Sequence, residues 1–147
     1  MTTYTSTNEL FRYTIDNETS YQITSQDYAI ILASFNKWDS LVTQNERFPN
    51  TYTIDVSFSI ASLGNGILGG AQVLTAYYFD TYTFGNSYTA NGNIKMNESY
   101  MSYLRTSIRS DNQSALYHVL LHEIGHILGL NHPDEYYYYN NDRNMNQ

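Results

Sequence analysis

The chain has 147 residues, a formal net charge of −7 with only 7 Lys and Arg residues, and no cysteine. Because phosphate binding needs clustered basic side chains, this composition argues against a nucleic acid partner, and the lack of cysteine excludes disulfides. The length predicts a single domain over 1–147 that can bury a stable core without covalent staples.

The N-terminal third of the chain predicts an arm, a short strand and a helix. Residues 1–24 are polar, and we expect a loose arm with a short strand near 10–15. From 25 to 42, apolar residues recur at three- and four-residue steps, which predicts an amphipathic helix with Ser25 as its N-cap. Its apolar face consists of Tyr28, Ile31, Leu32, Phe35, Trp38, Leu41 and Val42.

The middle of the chain predicts strands separated by glycine-rich turns. Residues 52–60 carry an apolar side chain at every second position, the pattern of a half-buried strand. The glycines within 64–66 and 69–70 indicate a turn region. Strand-like segments follow at 72–82, which is rich in aromatic residues, and at 92–97.

The last predicted element is a helix of more than a dozen residues. Residues 98–108 before it fit either a short helix or a loop. Asp111 is expected to cap the long helix, which runs to about Leu128. Its buried stripe is expected to contain Leu116, Leu120, Ile124 and Ile127.

Two histidines and a glutamate lie together near the end of this helix. His122 and His126 are four residues apart, so they share one helix face, and two imidazoles in that arrangement can bind one metal ion. Glu123 follows the first histidine and points to the side of the metal axis, where it can reach a water molecule. The spacing is typical of zinc hydrolases, although two histidines around a glutamate also occur by chance.

The residues after the helix extend this pattern. Gly129 lies three residues past His126, where a left-handed backbone can stop the helix and redirect the chain. Pro133 disfavours any continuation of the helix. A turned chain can bring His132 back to the metal as a third ligand. Three protein ligands with one open position are the arrangement of catalytic zinc sites.

Residues 122–132, His-Glu-Ile-Gly-His-Ile-Leu-Gly-Leu-Asn-His, resemble the signature of the metzincin clan of zinc peptidases at every fixed position. The continuation to 136, with His-Pro-Asp-Glu-Tyr, is most similar to the serralysin and matrixin branch. The resemblance implies three zinc ligands and a general base, which are His122, His126, His132 and, as the base, Glu123.

The resemblance also implies a methionine turn beneath the metal. Met145, which lies 13 residues beyond His132, is the candidate for it. Some branches add a tyrosine ligand two residues later, where this chain has Gln147. The four tyrosines at 136–139 are expected either to line the cleft or to form a surface patch, and both interpretations stay open.

The implied fold is α+β and zincin-like, with a small twisted mixed sheet, a backing helix and an active-site helix. An N-terminal arm (1–24) would precede an upper subdomain (25–130), and 131–147 would form a very short lower segment. In such a fold the edge strand, expected within 70–79, lies above the cleft and pairs with an extended substrate.

The implied function is that of a zinc-dependent endopeptidase, in which a metal-activated water attacks a protein or peptide substrate and Glu123 is the general base. We expect a monomer without a nucleic acid or membrane partner. The resemblance implies a secreted protein, although 1–20 lack the features of a signal peptide. No stretch approaches the roughly 20 apolar residues of a membrane span.

Three alternatives stay open. The chain could be a zinc-binding module that captures proteins without turnover. It could be a domain stabilised by Ca²⁺, with Asp55, Asp80 or Asp134 among the oxygen ligands. His118, four residues before His122, is expected to pack or to support a ligand, and the alternative is a fourth metal contact.

Overall fold

The computed structural model describes residues 3–41, 53–78 and 87–130. None of the helices in these ranges combines the length and the apolar character that crossing a membrane requires. The elements are β1 (Thr3–Thr7), β2 (Phe11–Asn17), α1 (Ser25–Leu41), β3 (Ile54–Ala61), β4 (Gly69–Tyr78), β5 (Ser87–Asn97), α2 (Glu98–Thr106) and α3 (Ala115–Ile127).

The five strands form one mixed sheet in the order β1-β2-β3-β5-β4. Strands β2, β3 and β5 are parallel, whereas β1 and β4 pair antiparallel at the two edges. The predicted α+β class is confirmed, and β4 is the edge strand expected within 70–79. The expectation of a loose arm over residues 3–7 is wrong. This segment of three threonines, one tyrosine and one serine has strand propensity without apolar alternation, and it pairs with β2 as β1.

Side chains of β2, β3 and α1 form the centre of the core. The Tyr13 ring stacks on Phe35 with 4.0 Å between ring centroids, and Phe11 meets Phe35 edge-on at 5.1 Å. The predicted helix over 25–42 is confirmed as α1 up to Leu41. The predicted alternation in 52–60 is present at the start of β3, where Ile54, Val56 and Phe58 are buried and the residues between them are not. From Phe58 to Ala61 every residue is buried, so the expectation of a half-buried strand is wrong for this part of β3.

The predicted caps of the two long helices are wrong. The Thr24 hydroxyl accepts from the Asp27 amide at 2.9 Å, and the Asp27 carboxylate accepts from the Thr24 amide at 3.0 Å. This reciprocal pair is a capping box, so Thr24 rather than Ser25 caps α1. Ser114 rather than Asp111 caps α3, because its side chain accepts a backbone hydrogen bond from the first turn.

Asn97, which caps α2, also shapes the turn that leads into β4. Its buried side-chain amide donates to the carbonyl oxygens of Ile67 at 2.8 Å and Gly64 at 3.1 Å. Its Oδ1 accepts from the Ser99 amide, so the ambiguous segment after β5 begins as a helix. One polar side chain therefore connects α2 to the approach of the edge strand.

Asp27 is a fully buried carboxylate that connects the start of α1 to α2. Its Oδ1 is 3.0 Å from Nη1 of Arg105, and its Oδ2 accepts from the Tyr21 hydroxyl at 2.6 Å and from the Thr24 amide. Burial, followed by the hydrogen bond to Asp27, raises the pKa of the Tyr21 hydroxyl to about 12. Every oxygen of this carboxylate thus has a donor, as a buried charge requires.

We expect Arg105→Ala to lower the free energy of unfolding by about 3 kcal/mol, because it leaves a buried carboxylate without its counter-charge. Urea denaturation followed by circular dichroism measures this change. The matched control is Arg12→Ala, since Arg12 and Asp55 form an ion pair whose side chains are 62% and 47% exposed, and such pairs stabilise little. Equal losses in the two variants would contradict this account.

Candidate active site

The helix α3 carries the histidines of the motif, and its buried side packs against α1 and the sheet. The Trp38 indole of α1 donates from Nε1 to the carbonyl oxygen of Leu121 at 2.9 Å. This hydrogen bond fixes α1 behind the middle of α3. The predicted stripe is buried as expected, and its residues are Leu116, Leu120, Ile124 and Ile127.

On the sheet side, Gly92 of β5 allows α3 to approach closely. A Cβ atom at this position would lie 2.8 Å from Cδ1 of Ile127 and 2.7 Å from the Gln72 carbonyl oxygen. Real Cβ atoms do not come this close to other heavy atoms, so only glycine fits. With these contacts on its buried side, α3 presents His122 and His126 to a cleft.

The Nε2 atoms of the two histidine rings lie at a separation close to that of two ligands on one metal ion. These atoms are 3.1 Å apart, and the ring planes are 89° to each other. Two nitrogen ligands about 2.0–2.1 Å from one zinc ion at a tetrahedral angle lie roughly 3.3 Å apart. The donor set and its spacing therefore fit a zinc ion.

The Leu130 carbonyl group determines which nitrogen of His126 is available. Its oxygen lies 2.7 Å from Nδ1 of His126. A carbonyl oxygen only accepts, so Nδ1 carries the proton and donates it, which leaves the lone pair of a neutral ring on Nε2. Metal-binding histidines in proteins are oriented by such hydrogen bonds.

Gly129 produces the turn that places this carbonyl. Its φ is +97°, in the region that residues with a Cβ atom rarely adopt. The Gly129 amide donates to the His126 carbonyl at 2.9 Å, and the Leu130 amide donates to the Gly125 carbonyl at 3.0 Å. This is a Schellman motif, and it folds the chain back over the last turn of α3.

A cleft of about 1010 Å³ separates α3 from the edge strand β4. One wall consists of residues 66–71 and Val73, and it contains exposed apolar side chains. The other wall follows α3 and the residues that flank it. Its lining residues are Arg109, His118, Val119, His122, Glu123, His126, Gly129 and Leu130.

His118 lies in the cleft wall and forms a hydrogen bond with a carboxylate. Its Nε2 is 2.8 Å from Oδ2 of Asp111, the residue expected as the helix cap. The hydrogen bond from His118 lowers the pKa of the Asp111 carboxyl, with the Gln113 amide as the next cause. The contact with Asp111 gives His118 a role that requires no metal.

Several predicted site residues lie outside the described residues. They are His132, Met145, Asp80, Asp134 and 136–139. Within the described residues, no three His, Cys, Asp or Glu side chains converge to hold an ion. Of the calcium candidates, the structure describes Asp55, whose two carboxylate oxygens accept from Arg12.

The sequence pattern does not single out two groups that the structure places at the cleft. The first is the Leu130 carbonyl, for which a signal exists, because a glycine after a helix implies a returning chain. The second is Arg109, whose position depends on the turn between α2 and α3. No local pattern identifies that position.

The comparison with known families agrees with this architecture. A family model described as matrixin matches residues 4–144. No curated protein and no solved structure matches the chain. The family match extends over nearly all of the sequence, including the sheet, the cleft and the histidine motif. The chain therefore belongs to the matrixin family and has the fold of a zinc metallopeptidase.

Proposed function

We propose that the protein is a zinc-dependent endopeptidase with His122, His126 and His132 as the metal ligands. The observation that carries the proposal is the pair of facing Nε2 atoms, 3.1 Å apart, in a cleft bounded by an edge strand. The membership in the matrixin family, whose match includes this motif, also supports the proposal. His132 enters on the motif spacing alone.

Zinc, when bound, supplies activation of a water molecule and polarisation of the carbonyl group of the bond to be cleaved. Glu123 follows His122 on α3 and lines the same cleft. In the proposed mechanism its carboxylate takes the proton of the attacking water and delivers it to the leaving amine. The outer backbone edge of β4, which pairs with no other described strand, binds the substrate as an added strand.

The family resemblance also implies a domain extent, a substrate class, an oligomeric state and a location, and we include these in the proposal. One catalytic domain spans 1–147, with the upper part formed by the described elements, and 131–147 supply His132 and the turn at Met145. The substrates are proteins or peptides bound in an extended conformation. We also propose that the enzyme is monomeric and extracellular.

The role of Glu123 is tested with the isosteric variant Glu123→Gln. We expect peptide cleavage to fall by about 10²- to 10⁴-fold, because the proton acceptor is lost, while zinc content stays at one ion per chain. In contrast, replacement of His122, His126 or His132 by Ala should remove the metal. Cleavage of a mixed peptide library and metal analysis after dialysis measure the two effects.

The matched control is Glu18→Gln, which removes the same charge from an exposed position outside the cleft. Its cleavage rate should equal that of the wild type. If the wild type and Glu123→Gln both bind zinc and neither cleaves any peptide, the chain is the capture module without turnover. Undiminished cleavage by Glu123→Gln would exclude Glu123 as the base.

The turn at Gly129 is tested with Gly129→Ala. We expect a loss of about 1–2 kcal/mol in the free energy of unfolding, since the residue has φ of +97°. We also expect zinc affinity to fall by about 10- to 100-fold, because the Leu130 carbonyl no longer orients His126. Urea denaturation and competition with a coloured chelator measure the two quantities.

Gly66→Ala is the control for backbone strain, because Gly66 has a φ of +82° and lies in the turn before β4. It should lose comparable stability and retain the zinc affinity of the wild type. Equal zinc affinities in all three proteins would show that the turn does not orient the ligand.

His118 is tested with His118→Ala. We expect zinc affinity within about twofold of the wild type, because the Nε2 atom of His118 faces Asp111. The pKa of the Asp111 carboxyl should rise towards its ordinary value once the hydrogen bond is lost. Chelator competition and carboxyl NMR titration provide the two measurements. A tenfold or greater loss of zinc affinity would identify His118 as a fourth ligand.

A further inference from the structure

Arg109 is a cation at the end of the cleft where α3 begins. It is exposed and lines the cleft with His118 and Val119. None of the described residues forms an ion pair or a side-chain hydrogen bond with its guanidinium group. Within the described ranges, no acceptor therefore competes with a group that enters the cleft for the guanidinium donors.

The backbone around Arg109 is held by a closed turn between α2 and α3. The Arg109 amide donates to the Gln113 carbonyl at 2.8 Å, and the Arg109 carbonyl accepts from the Asn112 amide at 2.9 Å. Ile108 and Ser114 form an isolated bridge across the base of the turn. These bonds fix the Cα atom of Arg109 relative to the first turn of α3.

The nearest carboxylate in the sequence, that of Asp111, forms no ion pair with Arg109. Asp111 uses Oδ2 for His118 at 2.8 Å and Oδ1 for the Gln113 amide at 3.0 Å. Apart from the histidines, the charged residues among the described lining of the cleft are Arg109 and Glu123. The planar guanidinium matches a carboxylate with two parallel hydrogen bonds, so the ligand that suits this end of the cleft is an acidic side chain.

We propose, building on the proposed peptidase function, that Arg109 selects substrates with Asp or Glu on the side of the cleft where α3 begins. The Gln113 carbonyl, which accepts a hydrogen bond from the Arg109 amide, lies two residues before α3. The first residue of α3, Ala115, precedes His122 by seven residues, or about 10 Å along the helix. An extended peptide advances about 3.3 Å per residue. The selected acidic residue therefore lies within about four residues of the cleaved bond.

The net charge of −7 acts against acidic substrates, but only at long range. Charges in water are screened beyond about 8 Å at physiological ionic strength, whereas a guanidinium in contact with a carboxylate is within that distance. The local contact therefore dominates selection. The preference should weaken as salt is added, since part of the cleft is open to solvent.

The test is a positional scan with pairs of peptides that differ only by Asp or Asn at one position on either side of the cleaved bond. For the wild type we expect kcat/KM to favour Asp about 3- to 10-fold at one position. This ratio should fall to about 1 in Arg109→Gln and remain unchanged in Lys37→Gln. The Lys37 variant removes the same charge from an exposed site on α1 outside the cleft.

A binding measurement separates the inference from the proposed function. Calorimetry with zinc-loaded Glu123→Gln compares the affinities of the same peptide pairs without turnover, alone and combined with Arg109→Gln. A preference for Asp that disappears with Arg109→Gln supports the inference even if the wild type cleaves nothing, in which case the proposed function fails alone. Cleavage or binding without an Asp preference, or a preference that persists in Arg109→Gln, overturns the inference.

Discussion

The close contact between β5 and α3 determines the geometry of everything that faces the cleft. At Gly92 an added Cβ atom would lie 2.7 Å from the Gln72 carbonyl oxygen of β4 and 2.8 Å from Cδ1 of Ile127, so a larger residue would disturb both the pairing of the edge strand and the packing of α3 on the sheet. The hydrogen bond from Trp38 to the Leu121 carbonyl holds the helix from the other side. These contacts on two sides of α3 fix its rotation about its own axis. As a result, the face that carries His122 and His126 points into the cleft.

The end of α3 combines a structural requirement with a chemical one. A helix must satisfy its last carbonyl groups, and here a glycine with positive φ does so by folding the chain back. The same turn delivers the Leu130 carbonyl to Nδ1 of His126 and leaves Nε2 as the acceptor nitrogen. Helix termination and ligand orientation are therefore one feature, which explains why the motif needs glycine at Gly129 and not merely any residue that stops a helix.

Apolar periodicity predicts the helix α1 and the buried stripe of α3, because both depend on which side chains are removed from water. The fold class and the edge strand are expected from the family resemblance of the histidine motif. The caps depend on finer choices. Thr24 and Ser25 are adjacent and chemically similar. Thr24 is the cap because Asp27, three residues later, accepts a hydrogen bond from the Thr24 amide in return. Likewise, Asp has a high propensity for the N-cap position, but the Asp111 carboxylate pairs with His118, and Ser114 is the N-cap of α3. The β1 strand and Arg109 depend on pairing and turn geometry, which polar sequence patterns do not reveal.

The two edges of the sheet differ in what they expose. At one edge β1 is a short strand of 5 residues, whereas β4 at the other has 10 residues with register shifts between Val73 and Ala76. Ile67, Leu68, Val73 and Leu74, on or just before β4, are all at least 38% exposed. An apolar edge strand promotes aggregation unless it has a regular partner.

In the proposed function the regular partner of β4 is the substrate backbone, whose pairing is nearly independent of sequence. Selectivity must then come from side chains elsewhere in the cleft, and Arg109 is the arginine among the described residues that line its α3 side.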